Sequence, residues 1–374
     1  MPTIVKASQV KSVPIHPKGT LDLSGAGDKV ILRQQVKEVS MQAEVSCLGT
    51  ALTPVTVESD SFRVAVANVS KQALIKIQQE DRYLTITNSR NHNRDSLRYQ
   101  GDTQLQTMTY PSSGLIAEFD AGDLITTLQS VRLKPAHHMY RSADSPFVAI
   151  RAAQGKASVY GSDGVMLIMQ QDLGFDSNPF YLCLQTGTWD SLHRFLQGRV
   201  RMYRRDFQYF FDCSTHLVSA PVEEMAAANL LTRFLAGEVE GGLVVHKKNF
   251  IPLLEMAREK KILRMLELRI EDRTFYLGTG DSELFVQYTF TGNPMGKVKE
   301  LGGQEYEAEE LFNPHNLKLN CCFNGALAHK LLDRIDSKYL LMEYQSKPLP
   351  TLVFSSTADE HSRYYLPTLI KGLV

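Results

Sequence analysis

The chain has 374 residues, 43% hydrophobic and 22% charged, which is enough for two or three buried cores and ordinary for a globular protein. Its 41 basic and 41 acidic residues cancel, which excludes a uniformly cationic coat but still allows cations on one wall and anions on another. No apolar run reaches the roughly 18 residues of a membrane span, and residues 1–20 lack a signal peptide's apolar centre.

Five scattered cysteines without CxxC spacing read as reduced thiols of a cytosolic protein. In chain order, Gln9 to Val13 offers at most a turn, because Pro14 and Pro17 restrict the residues before them. Leu21 to Val45 alternates apolar and polar residues around a turn at Ala26-Gly27-Asp28-Lys29, the pattern of consecutive strands. Glu58-Ser59-Asp60-Ser61 supplies N-cap candidates for a helix through about Val69, in a stretch Phe62 to Ile77 that reads as helical. Tyr83 to Thr87 is a strand, residues 88–95 form a polar loop, and Tyr110 to Gly114 reads as a linker.

Ile116 to Phe119 opens a second region, followed by a helix from Ala121 to Leu133 with Leu124, Ile125 and Leu128 on one face. Phe147 to Leu173 repeats the strand pattern, with its turn at Ala153 to Lys156 and a polar break at Ser162-Asp163-Gly164 before Val165 to Met169 resumes. Tyr181 to Gln185, an amphipathic helix Trp189 to Leu196 and a strand Phe207 to Asp212 follow, and Glu223 to Phe234 adds a helical piece. In the last third, a strand Gly242 to Val245 and a helix Asn249 to Glu259 precede a third copy of the pattern, Leu266 to Phe290, turning at Glu271-Asp272-Arg273. Thr291 to Leu317 is too long for a hairpin connection and reads as an exposed loop. A helix Phe323 to Ile335 and strands Tyr339 to Tyr344 and Thr351 to Ser355 complete the region.

The three copies lie roughly 120 residues apart, the size of one compact domain. The expected fold class is therefore α+β, with three repeated domains at 1–114, 115–240 and 241–374, each built of two helix-plus-sheet units.

No catalytic constellation emerges. Ser162 lacks a GxSxG elbow and a placed histidine, so Ser162-Asp163-Gly164 reads as a structural turn. Adjacent His137 and His138 rarely share a face and have no nearby metal-ligand cluster. The stronger signal is the spread of basic residues in or beside the predicted helical units of every repeat: Lys71, Arg132, Lys134, Arg141, Arg194, Arg199, Lys247, Lys248, Lys330 and Arg334. Cations so distributed suit sequence-independent phosphate contact.

The order of these units, Ser162-Asp163-Gly164, Phe323-Asn324 opening the last helix, and the tail Tyr364-Tyr365-Leu366-Pro367-Thr368-Leu369-Ile370-Lys371 resemble the bacterial DNA polymerase III beta subunits, the sliding clamps. The resemblance runs from about Gly19 to the C-terminus. It implies a homodimeric ring with helices inside and sheets outside, a non-enzymatic processivity factor without cofactor or metal. The ring would encircle double-stranded DNA in the cytoplasm, on the nucleoid and away from membranes.

It further implies an apolar pocket for short peptides of the DNA polymerase, the clamp loader and other clamp-binding proteins. The matching positions are Ser162, Gly164, Val165, Met166, Leu167, Asn324, Leu327, Leu352, Leu366, Leu369 and Ile370. Three features depart from the family. The first helix is expected to be shortened or missing, Gly372-Leu373-Val374 runs past the usual end, and Val165-Met166 replaces a usual histidine-arginine pair. The last change should alter peptide preference, since methionine adapts to varied apolar partners. The alternative reading is a clamp-fold adaptor or inhibitor that binds replication proteins without sliding on DNA.

Overall fold

The computed structural model describes residues 2–49, 52–100, 107–133, 146–222, 231–239, 241–247, 251, 254–255, 265–271, 274–279, 285–289, 298–299, 305–306, 319–356, 358–359 and 361–370. The first elements are β1 (Thr3–Lys6), α1 (Ala7–Lys11), β2 (Thr20–Ala26), β3 (Lys29–Val36), β4 (Val39–Leu48) and β5 (Val55–Glu58). Next come α2 (Ser59–Ala67), β6 (Leu74–Gln79), β7 (Tyr83–Asn88), β8 (Arg94–Gln100), β9 (Leu115–Asp120) and α3 (Ala121–Val131). The middle of the chain forms β10 (Phe147–Ala153), β11 (Lys156–Ser162), β12 (Leu167–Gly174), β13 (Phe180–Gln185), α4 (Thr186–Leu192), β14 (Arg199–Arg205), β15 (Gln208–Asp212) and β16 (His216–Pro221). Then follow β17 (Gly241–His246), β18 (Met265–Glu271), β19 (Thr274–Thr279), β20 (Phe285–Thr289) and the two-residue strands β21 (Val298–Lys299) and β22 (Glu305–Tyr306). The chain ends with β23 (Leu319–Asn324), α5 (Gly325–Leu332), β24 (Tyr339–Gln345), β25 (Thr351–Ser356), β26 (Ser362–Pro367) and β27 (Leu369–Ile370).

Two compact units result. The first comprises Met1–Gln129, Ala152–Gly155 and Phe175–Glu223; the second comprises Ser130–Arg151, Lys156–Gly174 and Glu224–Val374.

In the first unit a twelve-stranded sheet runs β1-β6-β7-β8-β5-β2-β3-β4-β16-β15-β14-β9. Because β1 pairs antiparallel with both β6 and β4, the first eight of these strands close on themselves and leave no free edge at β1. Alternation drives this layer: in β3, Val30, Leu32 and Gln34 are buried while Lys29 and Gln35 are exposed. Gln34 is polar at a core position and is fully satisfied. Its Oε1 accepts from His16 N at 2.8 Å, and its Nε2 donates to His16 O at 2.9 Å and Ser59 Oγ at 2.8 Å. Phe119, Phe175 and Phe180 form an aromatic cluster with centroids 5.6 to 6.3 Å apart, and Trp189 of α4 is fully buried.

In the second unit one sheet orders β10-β11-β12-β26-β25-β24-β17 and another orders β20-β19-β18-β23-β27. Against the sheet, the carbonyl of Val131 at the end of α3 stands so close to Gly161 that a Cβ there would meet it at 2.0 Å. Glycine is what lets the helix end reach the strand.

The mixed, strand-rich layout with few short helices is the fold class expected. Several local expectations change. Gln9 to Lys11 are helical, as part of a five-residue α1 that stops short of Pro14. The helix expected as far as Ile77 stops at Ala67, and Leu74–Gln79 is strand β6, with Ile75 and Ile77 buried on one face at strand period. Phe323 belongs to strand β23, and the helix starts only after the Asn324 cap. Arg199 lies on strand β14, not on a helix. Residues 249–259 and 291–317 fall largely outside the described residues, as do His137 and His138.

Candidate functional site

The turn between β11 and β12 is built around one carboxylate. Asp163 is fully buried at its side chain, and its Oδ1 accepts from Val165 N at 3.0 Å and Met166 N at 2.9 Å. Its Oδ2 accepts from Lys330 Nζ of α5 at 3.0 Å, a contact between residues 167 apart in sequence. Ser162 Oγ accepts from Gly164 N at 3.0 Å, and Gly164 sits at φ +94°, which a side chain would resist. The serine thus anchors a turn. Met166 and Leu167 are buried, while Val165 is half-buried.

Helix α5 is aimed by Asn324, whose Oδ1 accepts from Leu327 N at 3.0 Å as an N-cap. Leu327 is half-buried on the first turn beyond it.

Strand register sorts the remaining positions between two faces, because directly paired residues share a face and successive residues alternate. Leu167 pairs with Tyr365, Tyr365 with Val353, and Val353 with Glu343, so these four form one row. Leu366 pairs with Leu352 and therefore projects from the opposite face, as does Tyr364 opposite Ile168. The second face is the helix side: Gly161, beneath the end of α3, pairs with Ile168, and Ser130 Oγ donates to Gln170 Oε1 at 2.6 Å. Leu167 is thus separated from Leu352 and Leu366, although all three are buried. Leu369 and Ile370 pair as β27 with Cys322 and Cys321.

The Leu167–Val353–Tyr365 face carries a residue the sequence reading passed over. Phe234 is buried and meets the Tyr365 ring edge-on, with centroids 5.8 Å apart. A signal existed in the apolar Leu230-Leu231 and Phe234-Leu235 at helical spacing just before β17.

The basic residues meet varied surroundings. Lys71 is exposed in the turn before β6, and Arg132 is half-buried. In the first unit Arg194 donates to His16 Nε2 at 2.7 Å, and Arg199 lies 3.9 Å from Glu118. In the second, Lys247 Nζ donates to Ile335 O at 2.8 Å, Lys330 holds Asp163, and Arg334 donates to Ser130 O at 3.2 Å and Arg132 O at 2.7 Å. The last two carbonyls belong to the end of α3, where a cation is favoured. Lys134, Arg141 and Lys248 lie outside the described residues.

Among the described residues no cluster of three or more His, Cys, Asp or Glu side chains could hold a metal ion, and no helix is long and apolar enough to cross a membrane.

No protein-family model matches the chain, and no curated protein matches it either. Solved structures do match along its whole length. Pol III beta of Caulobacter crescentus matches at a TM-score of 0.67 and 13% identity, over 99% of this chain and 100% of that one. The DNA polymerase III beta chain from Streptococcus pneumoniae matches at 0.65 and 12%, over 99% and 100%. The beta subunit from Thermotoga maritima matches at 0.64 and 13%, over 98% and 99%. Identity this low speaks for the fold, and the fold read from the sequence is the one found: from end to end, this chain has the fold of the bacterial DNA polymerase III beta subunits, the sliding clamps.

Proposed function

We propose that the protein is a sliding clamp: a three-domain chain, divided near 114 and 240, that pairs with a second copy to encircle duplex DNA and tethers a polymerase through a peptide-docking site. The observation that carries this is the full-length fold similarity to solved clamps.

The strand pairing supplies a physical route to closure. The third strand of the first repeated group, β4, pairs antiparallel with β16, the last strand of the next region; β12 pairs in the same way with β26. The third strand of the last group, β20, ends its sheet among the described residues. By the same rule its partner is β8, which meets β5 only at Tyr99 and Gln100 among the described residues. The rule is completed by the β8 of a second copy, giving two equivalent joins and a closed dimer. Exposed cations such as Lys71 supply sequence-independent phosphate contact, and the working place is the bacterial cytoplasm.

The adaptor reading draws on one observation: Lys330 and Arg334, expected to meet DNA, are engaged inside the protein. Light scattering across a concentration series, followed by loading on nicked circular and linear DNA, separates the two. The clamp reading expects a mass near twice 42.0 kDa and retention on circles alone. A strict monomer that washes off circles removes it and leaves the adaptor.

A further inference from the structure

The connection leading into β17 does more than span a gap. Residues 231–235 are helical, and Ala236 N donates to Thr232 O at 3.2 Å. Of residues 231–239 only Phe234 is buried, at 2% exposure; Leu235 and Val239 stand 37% and 42% exposed. The segment is therefore held by one aromatic anchor on Tyr365, in the row shared with Leu167 and Val353. It also passes close to the sheet: a Cβ on Gly237 would meet Gln345 Oε1 at 2.5 Å and Lys347 O at 2.8 Å.

The corresponding connection in the first unit is held differently. There Met108 exchanges two hydrogen bonds with the Gln42 side chain, at 2.9 and 3.0 Å, and Thr107 Oγ1 accepts from Arg33 at 2.6 Å. Gln42 lies in the β4–β16 join, opposite Leu217. One join is crossed by a polar, hydrogen-bonded strap and the other by an exposed strap with a single apolar plug.

We infer that residues 231–237 are a built-in occupant of the Leu167–Val353–Tyr365 face, with Phe234 as a plug that must lift before a partner peptide docks there. This rests on the reading of that face as the peptide-docking site. A helical turn with one buried side chain opens locally at low cost, unlike the strands beneath it. While the strap is closed, the apparent affinity for a partner falls by the fraction of molecules that are open.

The test uses the full-length protein and a labelled synthetic peptide of residues 231–237. Phe234→Ala should bind it about ten-fold or more tightly than the wild type, since the plug no longer competes. Gly237→Ala, which pushes the strap outward without touching the anchor, should move affinity in the same direction. A peptide carrying the Phe234→Ala change should not bind. Should Phe234→Ala fail to fold, hydrogen exchange of the wild type decides: amides of 231–237 should exchange faster than those of β25 and β26. Equal peptide affinity in wild type and both variants, or strap amides that exchange only with global unfolding, overturns the inference. Retention on circular DNA is scored in the same proteins, so a clamp with an inert strap and a gated face on a chain that does not slide are told apart.

Discussion

Lys330 Nζ stands 3.0 Å from Oδ2 of Asp163, joining the first turns of α5 to the buried carboxylate that shapes residues 163–166. The lysine side chain is 33% exposed and the carboxylate is fully buried, so the pair is asymmetric. The two backbone N–H groups satisfy one oxygen, and only the lysine is seen to satisfy the other.

Lys330→Met should therefore destabilise the protein by about 1–3 kcal/mol, leaving a buried charge short of one partner. Adding Asp163→Asn should recover part of that loss, because the two changes act on one contact. Denaturant unfolding of both single variants and the double variant gives the coupling. Additive losses would show that the pair contributes nothing.

Arg334 and Lys71 should separate structural from DNA-facing cations. Arg334→Gln removes donors from two carbonyls at the end of α3 and should cost about 1–3 kcal/mol of stability. Lys71→Gln should leave unfolding unchanged and lower the salt dependence of DNA binding by about one unit of slope. Thermal unfolding and binding across a salt series report the two effects, and an exchange of the two results would reverse the assignment.

Histidine burial sets a pH dependence. Burial lowers the pKa of His216 below its usual value, partly offset by its hydrogen bond to Phe195 O. Burial likewise lowers that of His16, whose Nε2 accepts from Arg194, with Lys18 and His193 as further positive neighbours. The unfolded chain binds protons at these sites first, so their contribution is complete above about pH 6.5 and declines as pH falls below it. Unfolding free energy measured from pH 8 to 5 should fall through that window, and His216→Gln should flatten the curve. A profile indifferent to the substitution would sink this account.

Much of the fold was legible because its strands alternate cleanly and its turns carry glycine or aspartate. Leu21 to Val45 and Phe147 to Leu173 resolve into the expected strands, the second resuming at Leu167 because Asp163 holds Val165 and Met166 in the turn. The reading overran at Phe62 to Ile77, where β-branched residues fit both periods and the turn at Ser70–Gln72 carries no glycine or proline. It placed a loop across Arg94 and Asp95, which open β8, because that strand is exposed or half-exposed throughout and shows no apolar alternation. At the site, Ser162 and Asn324 were singled out, but their work as turn anchor and helix cap depends on partners only geometry shows. Lys330 could not be paired with Asp163 from a distance of 167 residues.

The two joins, β4 with β16 and β12 with β26, are ladders of main-chain hydrogen bonds. A peptide N–H meets a carbonyl with nearly the same energy whatever side chain stands above it, so such a ladder asks of its sequence only extended conformation and the absence of proline. Evolutionary drift can then rewrite both faces of the sheet while the joins survive. A chain that keeps the clamp fold at 13% identity is what an architecture fastened through its backbone permits.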